Sequence, residues 1–338
     1  MTDEIFPRET PYVIAEVGGN HGGDVEKAKE YVRAADEAGA HAVKFQAYSA
    51  ETLIQRDEPP LPLAGDEYDT QFERFKELEL TRKEWGELVA ETEDLDIDFV
   101  ASVFDEKWAD FVAAESPFIK LASGDLTNIP LLRHVASLEK PIVLSTGFAT
   151  TTEIERAVEE LPRDRLTLLH CVSAYPTDEA DANLQLIDEL WQTFDVSIGY
   201  SDHTRGLLAC KTAAAKGATV IEKHFTLDKS NPVGDHRLSA NPEEMAELVE
   251  SVDRIAAMHG TESRRNGPLD AESDLKTQMR RSLATTADIA AGERLTADAV
   301  TALRPESGLS PLGLDEVIGR RVAKDVSAGS ILTESDLE

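Results

Sequence analysis

Two histidines end consecutive runs of apolar residues, and each has a carboxylate close beside it. The first run ends with Asp202 and His203, and the second contains Glu222 and ends with His224. If both runs are parallel strands of one barrel, their carboxyl ends open into the same mouth. Imidazoles and carboxylates together are suitable ligands for a divalent cation. The pattern therefore predicts a metal site at His203 and His224, and two unrelated histidines held by hydrogen bonds are the alternative.

Two lysines, Lys44 and Lys120, occupy otherwise apolar runs. A lysine on a strand that is buried on both faces is costly unless it meets an anion or loses its proton. Several hydroxyl side chains follow neighbouring runs, so the lysines predict a cationic pocket for a small phosphorylated and carboxylated molecule. An internal ion pair, such as Lys44 with Glu16, is the alternative.

Eight short, nearly continuous apolar runs supply the elements that must position these side chains. Such runs are typical of strands covered on both faces, and helical segments separate them, so we predict a (β/α)8 TIM barrel. A doubly wound open sheet is the runner-up, but no G-x-G-x-x-G motif follows the first run. The runs are residues 12–17, 42–47, 99–104, 118–122, 141–146, 166–172, 196–200 and 218–224.

The helical segments between the runs carry recognisable start signals. Thr81 and Asn241 are predicted N-caps, and Pro242 suits a first helical turn. The segment 49–80 is longer than an ordinary loop between strand and helix, and we expect it to form a flap over the barrel mouth. The main predicted helices are residues 25–38, 82–95, 151–161 and 242–258.

The composition changes after residue 262, which predicts a second domain. We assign residues 1–262 to the barrel, 263–277 to a polar linker and 278–338 to a small domain of short strands and turns. Within that domain AGERLT at 291–296 returns loosely as AGSILT at 328–333, which indicates an internal pseudo-repeat.

The charge and composition exclude several classes of protein. A formal net charge of −31 argues against a nucleic-acid partner, whose phosphates need a basic surface. No apolar run is long enough to span a bilayer, and the acidic N-terminus lacks a signal core, so we expect a cytoplasmic protein. The dispersed acidic residues favour the cytoplasm of a halophile, with an ordinary acidic protein as the alternative. Cys171 and Cys210 are expected to be small buried apolar residues.

With these residues laid out, the chain resembles the sialic acid synthase family, and the resemblance covers nearly the whole chain in order. Residues 281–283 and 304–305 resemble the family's C-terminal antifreeze-like (SAF) domain. The matching barrel motifs are IAEVGGNH (14–21), VKFQ (43–46), IKLASGDLTN (119–128), LSTG (144–147), HCVSAYPT (170–177), GYSDHT (199–204) and IEKHF (221–225).

The resemblance implies an enzyme that condenses phosphoenolpyruvate with an N-acetylmannosamine-type sugar, giving a nonulosonic acid and phosphate by C–O cleavage. It implies that His203 and His224 bind Mn²⁺ or Mg²⁺, and that Glu16 and Asp125 transfer protons and grip the sugar. It also implies a domain-swapped homodimer, in which Arg304 reaches the sugar bound by the other subunit. The remaining substrate-binding residues implied are Lys44, Ser102, Lys120, Ser123, Ser173, Tyr175, Ser201 and Asp235.

The departures from the family pattern concern the sugar. Asp125 replaces a frequent Glu, Ser173 replaces an Asn, and Glu306 lies beside Arg304. The acceptor therefore stays open among N-acetylmannosamine, its 6-phosphate and the 2,4-diacetamido-trideoxy sugars that lead to legionaminic-type acids. Two other hypotheses are a metal-independent Schiff-base aldolase that uses Lys44 or Lys120, and a non-enzymatic sugar- or ice-binding protein.

Overall fold

The structure, a computed structural model, describes residue 6 and residues 10–60, 68–260 and 269–338. The chain divides into two compact units, Met1–Gly260 and Thr261–Glu338. No helix in these ranges is long and apolar enough to cross a membrane.

The first unit is a closed barrel of eight parallel strands in sequential order, with β8 paired to β1. This confirms the predicted (β/α)8 fold and excludes the open doubly wound sheet. The strands are β1 (Tyr12–Glu16), β2 (Ala42–Ala47), β3 (Asp98–Val103), β4 (Ile119–Leu121), β5 (Ile142–Ser145), β6 (Leu166–Cys171), β7 (Ser197–Asp202) and β8 (Val220–His224).

Helices cover the outside of the barrel, and the predicted caps are confirmed. Thr81 and Asn241 each accept a hydrogen bond from the backbone N–H three residues on, in complete capping boxes. The helices are α1 (Val25–Glu37), α2 (Ala50–Leu53), α3 (Gln71–Leu78), α4 (Arg82–Glu93), α5 (Glu106–Glu115), α6 (Ile129–Ser137), α7 (Thr151–Glu159), α8 (Leu186–Phe194), α9 (Leu208–Ala215) and α10 (Pro242–His259).

A layer of apolar side chains fills the barrel below the site. Side chains two positions apart on a strand share a face, so most residues of this layer lie beneath a polar residue two positions further on. Ile14 thus lies below Glu16, Ala42 below Lys44 and Val220 below Glu222. The layer contains Phe6, Ile14, Ala42, Val100, Phe118, Val143, Leu169 and Val220.

The long segment after β2 contains α2 and α3, and its residues 61–67 lie outside the described ranges. Arg74, Phe75 and Leu78 of α3 line the cavity at the barrel mouth. The part of the predicted flap that can be described therefore does border the mouth.

The predicted linker differs from the structure, because helix α11 (Asp270–Met279) occupies most of residues 263–277. Most of the segment is polar, and the apolar residues Ala271, Leu275 and Met279 share one face of the helix but are exposed, so burial does not mark it as a helix. The N-terminus of the helix is capped locally, because the Glu272 carboxylate accepts a hydrogen bond of 3.0 Å from the Leu269 N–H. Residues 263–268 of the predicted linker are outside the described ranges.

The second unit has an antiparallel pair, β9 (Ser282–Thr285) and β10 (Val300–Leu303), and a core of its own. The pseudo-repeat seen in the sequence has a structural counterpart. Ile289 and Val326 exchange backbone hydrogen bonds of 2.8 and 2.9 Å. Ala291 N–H donates to Asp325, and Ala328 N–H donates in the same way to Asp288. Short helix α12 (Leu314–Val317) completes the unit's helices.

Candidate active site

A cavity of about 480 Å³ opens at the carboxyl ends of the barrel strands. This is the face at which TIM barrels carry their active sites. Eleven of the thirteen predicted site residues line it: Glu16, Lys44, Ser102, Lys120, Ser123, Ser173, Tyr175, Ser201, His203, His224 and Asp235.

Lys44 is buried and paired inside the barrel. Its Nζ lies 2.7 Å from Glu16 Oε2 and donates a hydrogen bond of 3.0 Å to Ser102 Oγ. Burial works against its charge, but Glu16 and Glu222 outweigh burial and raise the pKa of Lys44. Burial raises the pKa of Glu16 to about 7, against the opposing effect of Lys44. The internal ion pair named above as the alternative therefore forms in this structure.

Glu222 is the carboxylate that connects the two lysines. Its Oε2 lies 3.7 Å from Lys44 Nζ and 3.8 Å from Lys120 Nζ, and makes no hydrogen bond with the described residues. Its Oε1 accepts a hydrogen bond of 2.9 Å from Ser201 Oγ. Burial alone would raise the pKa of Glu222, but Lys120 and Lys44 lower it to about 2. Glu222 is thus ionised at neutral pH and holds the two cations side by side.

Lys120 has the weaker charge compensation of the two lysines. Its Nζ donates to Ser145 Oγ at 2.7 Å and to the Leu121 carbonyl at 3.1 Å. Burial and the nearby Lys44 lower its pKa, although Glu222 opposes them. A bound anion would compensate the buried positive charge of Lys120, so this side chain is suited to bind an anionic group.

Gly147, in the turn after β5, leaves room for two serines that follow the neighbouring strands β4 and β6. Ser123 Oγ accepts a hydrogen bond of 3.0 Å from the Gly147 N–H. A Cβ atom at Gly147 would lie 2.2 Å from Ser173 Oγ and 2.8 Å from Ser123 Oγ. Only glycine therefore allows both hydroxyls to reach this position.

The two predicted metal ligands lie next to each other at the mouth. The ring centroids of His203 and His224 are 5.3 Å apart. His203 Nδ1 is 2.7 Å from the Val172 carbonyl, which fixes that ring and leaves its Nε2 for a ligand. His224 Nδ1 is buried without a hydrogen-bond partner among the described residues. Burial and neighbouring His203 lower the pKa of His224 well below its ordinary value, so its imidazole is neutral.

Tyr175 and Asp235 border the histidine pair. The Tyr175 ring centroid is 4.1 Å from that of His203 and 6.1 Å from that of His224. Asp235 Oδ2 lies 3.7 Å from His224 Nδ1, and burial raises the pKa of this carboxyl. Both side chains would therefore contact a ligand that binds at His203 and His224.

The histidine pair fits a divalent cation that shares its coordination with a bound molecule. Two adjacent imidazoles, one neutral with an unsatisfied ring nitrogen, are suitable donors. The described residues contain no cluster of three or more His, Cys, Asp or Glu side chains arranged to hold a metal. Catalytic metal sites, unlike structural ones, leave part of the coordination to substrate atoms or water.

Asp125 and Arg304 are the two remaining predicted site residues. Asp125 is absent from the described lining, and its carboxylate accepts a hydrogen bond of 3.0 Å from Asn128 Nδ2 in the turn after β4. Arg304 is exposed in the second unit. The nearby Glu306 carboxylate forms ion pairs with two other cations of the described residues, Lys276 Nζ at 4.0 Å and an Arg280 guanidinium nitrogen at 3.7 Å.

The structure adds lining residues to which sequence reasoning assigned no role. Ser145 ends β5, and its Oγ accepts a hydrogen bond from Lys120 Nζ. Gln46 Nε2 donates a hydrogen bond of 3.3 Å to Glu16 Oε1. Their position at strand ends was a usable signal. Arg74 of α3 and the exposed Phe148 also line the cavity, but no periodicity in the sequence points to either.

Comparison with known proteins agrees with this geometry. Residues 31–264 match the model of the NeuB family, and residues 280–338 match that of the SAF domain. An N,N'-diacetyllegionaminic acid synthase of Legionella pneumophila is 37% identical over 97% of this chain and 95% of its own. An N-acetylneuraminate-9-phosphate synthase of Drosophila melanogaster is 34% identical over 94% of this chain and 93% of its own.

A solved structure extends the likeness to both units. The crystal structure of a putative spore coat polysaccharide biosynthesis protein E from Chromobacterium violaceum matches with a TM-score of 0.81 and 31% identity. The match covers 97% of this chain and 99% of that one.

Proposed function

The chain belongs to the NeuB family, and on this premise we propose that it is a phosphoenolpyruvate-dependent nonulosonic acid synthase. The observation that carries the proposal is the joint presence, in one cavity, of two buried lysines around Glu222 and the pair His203 and His224. Lysines suit the phosphate and carboxylate of phosphoenolpyruvate. The histidines suit a cation beside the sugar aldehyde.

Lys44 and Lys120 would bind the anionic groups of phosphoenolpyruvate, with Ser102, Ser123 and Ser173 as hydroxyl donors. Binding in this way holds the C3 carbon against the aldehyde carbon, and a C–C bond forms between them. The lysines stabilise the anionic groups while C2 becomes electron-deficient. Water adds at C2, one of its protons is passed to the alkoxide that the aldehyde has become, and phosphate leaves with the other as the C2–O bond breaks and C2 becomes a ketone.

Glu16 is the residue that we propose for proton transfer. A carboxyl with a pKa of about 7 can both take and release a proton near neutral pH. Glu16 also lines the cavity, whereas Asp125 does not. Replacing Glu16 by Gln should lower kcat by roughly 10²- to 10⁴-fold, the usual contribution of a general acid or base.

His203 and His224 would hold the divalent cation, Mn²⁺ or Mg²⁺, with Asp235 beside them. A bound cation supplies Lewis-acid polarisation of the sugar's carbonyl oxygen. Tyr175 packs against His203 and would orient the sugar over the same position.

The acceptor class proposed is an N-acyl amino sugar in its open-chain aldehyde form. Relatives that make a legionaminic acid and a neuraminic acid 9-phosphate differ little in identity to this chain, at 37% and 34%. N-acetylmannosamine, its 6-phosphate and 2,4-diacetamido-2,4,6-trideoxymannose therefore all have to be tested as acceptors.

The test is phosphate release from phosphoenolpyruvate with each of the three sugars, with and without Mn²⁺, in concentrated KCl. We expect release with one sugar only, and only with the metal. In ¹⁸O-labelled water the released phosphate should stay unlabelled, because water enters at C2. Label in the phosphate, or no turnover of any sugar by folded protein, would contradict the proposal. Borohydride trapping with pyruvate serves as the control for the Schiff-base alternative.

We also propose that the active enzyme is a homodimer in which Arg304 serves the site of the second copy. Arg304 is exposed, and it forms no ion pair within 4.0 Å with the described residues. Arg304→Ala should raise KM for the sugar and leave KM for phosphoenolpyruvate unchanged. Lys324→Ala, which removes an exposed cation paired with Asp336 in the same unit, is the control. Equal sugar kinetics in the two variants would contradict the role of Arg304.

A further inference from the structure

The two metal-binding histidines lie just beyond the last rung of the ladder between β7 and β8. That ladder pairs Ser201 with Glu222 and ends with Asp202 opposite Lys223. His203 and His224 follow these last two residues directly in the chain. The β7–β8 ladder therefore ends one residue before the histidines, where His224 pairs with Glu16 of β1 and the His203 carbonyl accepts from the Thr177 N–H. The side-chain contacts at the last β7–β8 rung are then the direct link between the two strand ends.

Asp202 and Lys223 form a fully buried ion pair at that last rung. Lys223 Nζ lies 2.7 Å from Asp202 Oδ2, and neither side chain has any exposed surface. Successive side chains on a strand point to opposite faces. The pair therefore lies on the outer face of the barrel, while Ser201, Glu222 and the cavity lie on the inner face.

The same pair holds the backbone on both sides of His203. Lys223 Nζ also donates to the Thr204 carbonyl. Asp202 Oδ1 accepts from the Thr204 N–H at 2.9 Å, and its Oδ2 accepts from Thr204 Oγ1 at 3.2 Å. Residues 202 and 204 are thus tied to the residue that precedes His224 in the chain.

The surroundings of the pair complete its hydrogen bonds. Tyr200 OH donates to Asp202 Oδ1 at 2.9 Å, and Cys210 Sγ of α9 lies 3.2 Å from Asp202 Oδ2. A buried ion pair is weak evidence for stability, because desolvation offsets much of the attraction and an apolar pair often serves as well. A purely stabilising role therefore explains the charges poorly, whereas a geometric role needs their directional bonds.

We propose that the buried pair Asp202 and Lys223 is a positioning device that sets the separation of His203 and His224 and thereby the affinity for the divalent cation. This inference rests on the proposed function, in which the two histidines bind the cation. Neither Asp202 nor Lys223 lines the cavity. Both act through the strand ends that carry the ligands.

The test compares Lys223→Met and the double variant Asp202→Asn/Lys223→Met with the full-length wild-type protein. Mn²⁺ binding is measured by the electron paramagnetic resonance signal of the free ion, which requires neither substrate nor turnover. We expect the Kd for Mn²⁺ to rise by about 10- to 100-fold, the usual effect of losing an outer-shell partner. Saturating Mn²⁺ should restore most of kcat.

Lys29→Met is the matched control, because it also breaks a partly buried ion pair of the barrel, with Glu87 at 2.9 Å between α1 and α4. Its Kd for Mn²⁺ should equal that of the wild type. Urea unfolding of all variants separates positioning from stability. A folded Lys223 variant that keeps the wild-type Kd would overturn the inference. Failure of both Lys223 variants to fold would also overturn it, by assigning the pair to stability.

A crystal structure of the double variant without metal keeps the two proposals apart. We expect the His203–His224 ring separation, 5.3 Å here, to change by more than about 0.5 Å, the tolerance of a preorganised site. An unchanged separation of the two rings would contradict the positioning role of the ion pair. Wild-type protein that binds no Mn²⁺, together with a changed separation in the variant, would instead remove the metal from the proposed function.

Discussion

At the scale of single residues, the site is a balance of buried charges. Lys44 and Lys120 face Glu222, which is ionised, and Glu16, whose pKa is about 7. A bound molecule with a phosphate and a carboxylate would add negative charge to this balance. The carboxyl of Glu16 is the group best able to respond, because its pKa lies closest to neutral pH.

Phosphoenolpyruvate binding should therefore take up a proton near pH 7. About half of the Glu16 carboxyls are protonated at that pH, and an added anion raises their pKa further. The uptake should vanish below about pH 5, where the carboxyl is already protonated. Calorimetry in buffers of different ionisation enthalpy measures the proton count. A count in Glu16→Gln equal to the wild-type count would contradict this prediction.

The histidine pair gives a second prediction at this scale. His224→Ala should abolish metal-dependent turnover, because it removes one of the two imidazoles available to the cation. The fold should survive, since the residue lies at the end of β8. His134→Ala, on α6 and paired with Asp110 at 2.8 Å, is the control. Near-normal turnover by folded His224→Ala after metal removal would disprove the metal assignment.

At the scale of elements, β7 depends on one position without a side chain. A Cβ atom at Gly199 would lie 2.6 Å from both Leu169 Cδ2 and the Val220 carbonyl. These atoms belong to the neighbouring strands β6 and β8. The glycine therefore allows the three strands to close up below Ser201 and the histidine pair.

Gly199→Ala should lower the free energy of unfolding by about 1–3 kcal/mol through overpacking, because a backbone carbonyl cannot rotate away. Gly86→Ala is the contrasting control, because Gly86 is an exposed position of α4 and no atom of another residue lies within 4 Å of the added methyl group. That variant should gain up to about 1 kcal/mol from helix propensity. Urea denaturation compares both with the wild type, and equal shifts would refute the packing argument.

At the scale of the whole molecule, the net charge of −31 opposes compact folding through self-repulsion. The charge is dispersed along the chain, so salt should relieve it everywhere at once. At 1 M ionic strength the Debye length falls to about 3 Å, so exposed charges further apart than this are largely screened from one another.

We expect the thermal unfolding midpoint to rise steadily between 0.1 and 3 M KCl, most steeply at the low end. The same midpoint is measured in NaCl and in sucrose as comparison series. NaCl screens charge as KCl does, whereas sucrose stabilises proteins without screening charge. A midpoint that is independent of KCl would remove the interpretation of the acidic surface as an adaptation to high salt.

The sequence alone was sufficient for the barrel and for eleven of the residues that line the cavity. Continuous apolar runs identify strands covered on both faces, and parallel strands in a barrel must end at one mouth. Glu16, Lys44 and His203 could therefore be assigned to one cavity before any coordinates were known. The period of two along each strand also separates these residues from the apolar layer beneath them.

Only the tertiary structure decided which charges meet. Nothing in the spacing of the chain reveals that Glu222 connects Lys44 to Lys120, or that Asp202 pairs with Lys223 behind the histidines. Those contacts depend on the register between strands and on side-chain length, and pattern analysis measures neither. Helix α11 was missed for a different reason, because its apolar residues Ala271, Leu275 and Met279 are exposed and its N-terminus is held by a local hydrogen bond. Periodicity thus reports which face is buried, whereas partners within a face are chosen by packing.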